Sequence, residues 1–450
     1  MGMIPCAVEM QSRRRSSTAG WALAATWAVV VGGCGNRPAA APALPPPQPI
    51  VSDEQATERS IAFFAAKLKE DPFNFIAYNK IAGFHLKRVR ETGNTEFLTK
   101  ALDAARASLK LFPAEMNLEG LGVLASAEYA SHNFRAARDH ALKWVQLRPN
   151  ESAAYGLLGD ACLELGDYGK AEQAYREMER NSERGAVGIH SRLARWRELK
   201  GDPDGAQQHL AQALAHALSL AAPPRETVAW CRWQTGELAF LRGDYSAAEQ
   251  HQRDVLTVYP DYYRGIASLG RALAALGRRD EAIAQYERVV QILPDPTYVA
   301  ALGDLYHLAG KSAQAEAQYT LVEQIGRLGK LNGQLYNRQL ALFYADHDRK
   351  PEDAYAQATR EYQERKDIYG ADAVAWTALK AGKIEVARRE IRTALRLGTL
   401  DPRLYFHAGM IAKAAGDGAG SRQFLEKALQ LSPEFDPLQA KQAREAVAGR

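Results

Sequence analysis

The chain has 450 residues, 46% of them hydrophobic and 24% charged, with a formal charge of +4. That length exceeds what one globular core holds, so several domains or a quasi-linear array is expected. Setting aside residues 1–33, which carry Arg13–Arg15 and Glu9, leaves 54 of the 57 basic and 52 of the 53 acidic residues, a net +2. So even a balance excludes nucleic acid as the main partner, because phosphate binding needs a concentrated basic face.

The N-terminus reads as an address. Arg13–Arg15 precede AGWALAATWAVVV (19–31), a 13-residue apolar run too short to span a bilayer comfortably but suited to a signal-peptide core. Met10 opens a better proportioned signal than Met1. The arginines hint at twin-arginine export, yet Ser16-Ser17-Thr18 stand where that motif wants a bulky apolar residue. The run ends in Val31-Gly32-Gly33-Cys34, which resembles the lipobox of bacterial lipoproteins. That resemblance implies removal of residues 1–33, lipidation of Cys34, and stable anchoring through two or three acyl chains. The plainer alternative is a cysteine beside an ordinary cleavage site. Gly35 and Asn36 follow without an aspartate, which by the same resemblance implies the outer membrane, facing the periplasm.

Six prolines in GNRPAAAPALPPPQPIVS (35–52) predict an extended tether, assigned to 34–51, reaching roughly 55 Å at about 3.1 Å per residue. Folding is expected from Ser52, with Ser52 and Gln55 as a capping box. Ile61, Phe64 and Leu68 recur at helical spacing until Asp71-Pro72 stops the helix, so this first element is an unpaired half-repeat.

Repetition follows. LLGDACLELGDYGKAEQAYREM (157–178), SLGRALAALGRRDEAIAQYERV (268–289) and ALGDLYHLAGKSAQAEAQYTLV (301–322) share one pattern. Turn glycines at 243, 277 and 310, then 382 and 416, lie 34, 33 and 34 residues apart, the mark of a stacked helix-turn-helix array. Over 75–435 the copies resemble tetratricopeptide repeats. Small residues match that family in the first helices (Ala82, Ala125, Gly159, Ala194, Gly236, Gly270, Gly303, Ala341, Ala375, Gly409). A second set matches in the second helices (Ala101, Ala137, Ala171, Ala206, Ala248, Ala282, Ala315, Ala354, Ala387, Ser421). Close backbone approach demands them, since larger side chains would splay the helices. Tyr175, Tyr286 and Tyr319 are expected to fill the gap between helices, and exit prolines such as Pro149 and Pro260 to end repeats. The resemblance implies an all-α, right-handed superhelical solenoid of about ten repeats, with an N-terminal half-repeat and a C-terminal capping helix. Pro223-Pro224 divides it into arrays at 52–220 and 229–435, and 436–450 form the cap and tail. The stretch 367–387 with 406–417 is similar to the C-terminal half of extracytoplasmic bacterial members. Departures from the period mark extra loop residues near Arg88–Glu96 and loosening at 217–228, 326–335 and 347–353.

Chemistry is harder to find. There is no phosphate loop, dinucleotide fingerprint, nucleophile elbow or HExxH helix. Cys162 and Cys231 fall two repeats apart, and because neighbouring repeats alone touch in a solenoid, they are expected as separate buried thiols. Asp346-His347-Asp348 reads as a solvated turn rather than a metal site. No cofactor, metal or catalytic residue is predicted, and the protein reads as a non-enzyme. The family resemblance places groove residues on the first helices: Trp230, Trp233, Phe240, Arg264, Arg271, Asp304, His307, Arg338 and Trp376. Aromatic and arginine side chains carry interface energy, so a protein or extended peptide partner is expected there. The alternative is a receptor for a small anionic ligand or glycan. The Pro-Pro break leaves open whether Trp230 and Trp233 face the groove or the core.

Overall fold

The computed structural model describes residues 45–50, 52–182, 186–331 and 338–449. The expected signal segment, Cys34 and the tether up to residue 44 lie outside them. Among the described residues the regular structure is 22 α-helices and one short 3-10 turn. Helix α1 (Glu54–Glu70) is unpaired. Ten helix pairs follow: α2 (Phe75–Thr92) with α3 (Glu96–Leu111), α4 (Leu118–Ala130) with α5 (Phe134–Leu147), α6 (Ser152–Glu164) with α7 (Tyr168–Arg180), and α8 (Val187–Leu199) with α9 (Pro203–Ser219). Then come α10 (Arg225–Leu241) with α11 (Tyr245–Val258), α12 (Tyr263–Ala275) with α13 (Arg279–Ile292), and α14 (Pro296–Leu308) with α15 (Ser312–Leu331). The last pairs are α16 (Arg338–Asp346) with α17 (Pro351–Glu364), α18 (Ile368–Lys380) with α19 (Ile384–Ala394), and α20 (Pro402–Ala414) with α21 (Gly418–Leu431); α22 (Gln439–Val447) closes the array. Ten pairs, the half-repeat and the cap are therefore all present.

Local chemistry makes each turn. Gly166, Gly201, Gly243 and Gly416 end first helices in the left-handed region (φ 74°, 71°, 75° and 78°), which costs glycine nothing. The aspartate after each then caps the second helix: Asp202 Oδ1 accepts from Gly205 N–H at 2.9 Å, and Asp417 Oδ1 from Gly420 N–H at 2.8 Å. The expected crossings are tight. A Cβ on Gly159 would stand 2.5 Å from the Tyr175 ring, and one on Gly303 2.6 Å from Tyr319. Both tyrosines are buried, so the missing Cβ is what lets each pair close. Cys162 and Cys231 are buried, unpaired thiols in separate clusters, pushed up to about 11 and about 12 by burial.

Three local expectations change. Asp53, not Ser52, stands at the cap of α1; Ser52 Oγ accepts only from Glu54 N–H, at 3.3 Å. The extra residues near Arg88 lengthen α2 by about a turn instead of forming a loop, and Gly93 (φ 71°) ends it. The end of the proline-rich segment is not a free tether. The Pro45 carbonyl accepts from Arg232 Nη2 at 2.6 Å, and Ile50 packs against the core formed by α9, α10 and α11.

Most successive first helices touch, as α2 with α4, α10 with α12 and α18 with α20, while among the described residues no two successive second helices are comparably close. The first helices thus lie inside the bend. The bend is strong enough that the array meets itself. Tyr168 OH accepts from Ile368 N–H at 2.8 Å and Thr399 Oγ1 donates to the Leu199 carbonyl at 2.6 Å, each across 200 residues of chain. Arg365 reaches Glu164 across 201 residues, Arg135 reaches Glu364, and Tyr245 OH meets Ser432 Oγ at 2.8 Å. One core runs through the junction, joining Leu163, Trp196 and Leu199 to Ile368, Ala371 and Leu404. Some 200 residues is about six repeats of 34. The expectation that only neighbouring repeats touch is therefore corrected: turns of the coil six repeats apart are packed together.

The seam has a regular part list. The turn between the two helices of an early pair docks against the connection between pairs one coil turn later. Gly93 faces Leu293, Gly166 faces the Lys366 carbonyl, Gly201 faces the Gly398 carbonyl, and Gly243 faces Pro433. Later turn glycines at 277, 310, 382 and 416 have open space at the same point.

Candidate functional site

The concave surface belongs to the first helices. Many of its charged side chains are held in pairs. Arg192 Nε donates to Asp160 Oδ2 at 2.7 Å, and Asp160 also accepts from the buried Tyr175 hydroxyl at 3.0 Å. Arg195 pairs with Glu198 at 2.6 Å and lies 5.5 Å over the Tyr369 ring. Burial pushes the Glu198 carboxyl up, against the pull of Arg195. Arg271 pairs with Glu237 at 2.7 Å and covers the Phe240 ring at 4.0 Å; Arg403 pairs with Asp436 at 3.2 Å. Such charge-assisted bonds restrict the rotamers of these side chains.

The nominated residues separate into two groups. Trp233 and Arg264 come together, with the guanidinium 5.1 Å from the ring centre, and Trp233 Nε1–H donates to Ser268 Oγ at 2.9 Å. Both are half-buried. Arg271 joins Phe240, and His307 is exposed. Trp230 is half-buried on the core made by Ala194, Ala206, Leu210 and Leu238. The other group is internal. Phe240 is 3% exposed, Arg338 8% and Trp376 2%, so none of these three offers a side chain to a partner. Trp376 Nε1–H is bound to Asp346 at 2.8 Å, and its ring stacks on His407 at 4.3 Å. Arg338 is locked between Glu361 and Asp367, each at 3.0 Å. Burial of these residues follows from the tight coil, which leaves the first helices little free inner surface.

Asp304 has a third kind of role. It accepts from Tyr319 OH at 2.9 Å and lies 2.7 Å from His347 Nε2, while His347 Nδ1 lies 2.7 Å from the Phe343 carbonyl. Two acceptors facing both ring nitrogens suit the imidazolium. Burial is the largest single influence and opposes the charge, but the bond to Asp304, its negative charge and the Phe343 carbonyl together outweigh it, and His347 is raised above its ordinary value. Asp346 and His347 are therefore structural and enclosed rather than a solvated turn; Asp348 alone is exposed, paired with Lys380 at 2.7 Å. A raised histidine contributes stability that is complete below about pH 6.5 and is lost as pH rises through its folded value. His140, raised chiefly by its bond to Glu128, acts in the same direction. His85, His132, His190, His209 and His251 are lowered by burial and act the other way, so the His347 contribution is read as a difference. His347→Gln should be less stable than wild type, most so below about pH 6.5 and less as pH rises through the folded value. Denaturant titrations on both sides of that value check it, and a deficit that does not change with pH contradicts it.

Sequence reasoning passed over Tyr298. It stands 34 residues after Arg264, which stands 34 after Trp230, so repeat register alone could have found it. It is half-buried on α14, the next first helix, and Arg264 lies close enough to oppose the upward push of burial on its phenol.

Family models described as tetratricopeptide repeat match residues 186–261, residues 239–305, and residues 123–186 together with 373–434. No curated protein sequence matches the chain. Solved structures similar to it include pilF of Pseudomonas aeruginosa, 17% identical over 58% of this chain and 93% of that one, with a TM-score of 0.34. Yeast Tom70 is 11% identical over 88% and 97%, with a TM-score of 0.33. Human IFIT1, solved as a dimer with PPP-AAAA, is 15% identical over 84% and 87%, with a TM-score of 0.45.

Proposed function

The chain belongs to the tetratricopeptide repeat family, whose repeats act as protein–protein interaction scaffolds, and on that premise we propose that it is a non-enzymatic, lipid-anchored scaffold of the bacterial cell envelope. In this reading it holds a protein or extended peptide on the inner face of its coil. The observation that carries it is the Trp233–Arg264 patch: an aromatic and an arginine, half-buried and adjacent on successive first helices, are the residue types that concentrate binding energy. Ion-paired neighbours on both sides keep that surface rigid, which lowers the entropy lost on binding. Anchoring rests on the lipobox-like Val31-Gly32-Gly33-Cys34 and the apolar run before it. Among the described residues no helix is long and apolar enough to cross a membrane.

The two halves of this reading are tested separately. Labelled palmitate should enter the wild-type protein and not Cys34→Ala, and the variant should leave the membrane fraction. Wild type that takes up no fatty acid yet stays membrane-bound removes the anchor. For the scaffold, affinity capture from detergent-solubilised envelope should recover a stoichiometric protein that Trp233→Ala with Arg264→Ala releases. Recovery unaffected by that double change removes the inner face as the binding surface.

A further inference from the structure

The seam follows one rule: a connection between pairs rests on the turn eleven helices earlier. The connection into α14 meets the turn of α2 and α3, that into α18 the turn of α6 and α7, that into α20 the turn of α8 and α9, and that into α22 the turn of α10 and α11. The connection into α12 likewise meets the start of α1, where Tyr259 OH donates to Glu54 at 2.9 Å. Among the described residues, the rule leaves the turns of the last five pairs without a connection. It leaves the five connections into α2, α4, α6, α8 and α10 without a turn. Exposure agrees. Gly277, Gly310, Gly382 and Gly416 are exposed, whereas Gly93, Gly166, Gly201 and Gly243 are half-buried. On the other edge Phe73, Met116 and Leu220 are 72%, 68% and 42% exposed, whereas Leu293, in a docked connection, is half-buried against Gly93.

The open edges also differ in charge from the closed seam. Docked turns carry Asp167, Asp202 and Asp244 after the glycine, each capping its second helix. At open turns the cap position is Arg278, Lys350 or Lys383, none of which caps by its side chain, and Lys311 directly precedes α15. A cation there forgoes a cap and opposes the helix dipole, which bonds to Glu249, Glu323 and Glu352 only partly offset. The fold does not demand this, since Asp417 caps normally at the last turn. Five open connections meet five open turns in one full register. In it the exposed Asp71 falls to Arg278, Glu115 to Lys311 and Glu151 to Lys350. Residues 183–185 of the fourth connection lie outside the described ones, and the fifth, Leu220–Pro224, is uncharged opposite Asp417.

We propose that this edge takes a second copy of the chain, the late turns of one copy seating the early connections of the next. The seam then continues from copy to copy. The 22 described helices, at eleven to a coil turn, make two full turns, so copies stack without rotation between them. The contact is head-to-tail and does not close, so it builds chains rather than a fixed dimer. It lies outside the inner face and does not depend on what that face binds.

Sedimentation velocity of the full-length protein in non-ionic detergent tests it, from low micromolar to near-millimolar concentration. The mass should rise past two chains with concentration and fall as salt is added. Lys311→Glu with Lys350→Glu, and separately Glu115→Lys with Glu151→Lys, should each weaken association about tenfold or more while the circular-dichroism melt stays unchanged. An equimolar mixture of the two variants should restore it, because each reversed edge then meets its complement. Wild type that remains a single chain, or a mass that stops at two, overturns the proposal. So do reversed variants that associate as wild type does, or a mixture that fails to recover. Single chains that instead pellet with phosphatidylglycerol vesicles, and lose that binding on Lys311→Glu with Lys350→Glu, assign the cation row to a bilayer and overturn it too.

Discussion

Gly166→Ala is expected to destabilise the protein by about 2–5 kcal/mol, while Gly382→Ala, at the equivalent turn of a later repeat, costs only about 1–2 kcal/mol. The two glycines have the same backbone, with φ of 74° and 70°, so the strain of placing alanine in the left-handed region is common to both. What differs is the surroundings. A Cβ at 382 meets nothing within 4 Å, whereas at 166 it falls inside contact distance of the Lys366 carbonyl oxygen, a backbone atom that cannot swing aside. The excess at 166 therefore measures packing between coil turns alone. Urea midpoints of the two variants check the ranking. Small-angle scattering should show a more open particle for Gly166→Ala only, because its added methyl separates α6 and α7 from the connection into α18. Equal midpoints and equal radii would mean that the turns do not bear on each other in solution.

The helix pairs were legible because their causes are local. A left-handed glycine followed by a capping aspartate, as at Gly201-Asp202, and a glycine opposite a tyrosine, as at Gly159 and Tyr175, act within about twenty residues and recur in several copies. The coil's closure is different in kind. It sums a small rotation over about six repeats, and no residue between Tyr168 and Ile368 announces that those two will meet. Gly166 illustrates the difficulty: its turn role was readable, but its second role, admitting the Lys366 carbonyl, belongs to a contact partner 200 positions away. The same gap explains the site. Trp376 and Arg338 occupy the groove register of their repeats, yet Asp346, His407, Glu361 and Asp367 enclose them. Register told which helix face they are on, not how much room the bend leaves in front of it. Trp233 and Arg264 occupy the same register but stay half-buried, so part of each side chain remains at the surface.

Closure also changes how a partner gains access. With Tyr168, Leu199 and Tyr245 all bonded to the next coil turn, the inner face is reached from the ends of the coil or by parting the seam. An extended chain meets that geometry better than a globular surface does, because only a narrow segment passes between first helices. The Pro45–Arg232 contact adds that the folded body takes over the last part of the proline-rich segment, so a lipid at Cys34 would hold it closer to a bilayer than a fully extended tether allows.

Arg338→Met is expected to cost about 3–5 kcal/mol at pH 8, because it leaves buried carboxylates short of a cation. The network it breaks sits on the seam. Arg338 holds Glu361 and Asp367 at 3.0 Å each; Arg365 holds Asp367 at 3.1 Å and extends to Glu164 on the facing coil turn. Three carboxylates thus share two guanidinium groups, and burial already pushes Glu361 and Glu164 above the usual carboxylate range despite their arginines. Removing one arginine raises Glu361 further. A carboxylate raised in the folded state binds protons more readily there than in the unfolded chain, so its destabilisation shrinks as pH falls through the folded value. The deficit of Arg338→Met relative to wild type should accordingly be largest at pH 8 and smaller by pH 5. Pairing it with Glu361→Gln should recover part of the loss at pH 8, since the charge left unpaired is then gone. Denaturant titrations of both variants at the two pH values decide the matter: a deficit under about 1 kcal/mol, or one that does not change with pH, would show that these carboxylates find water or another cation and that the seam does not depend on them.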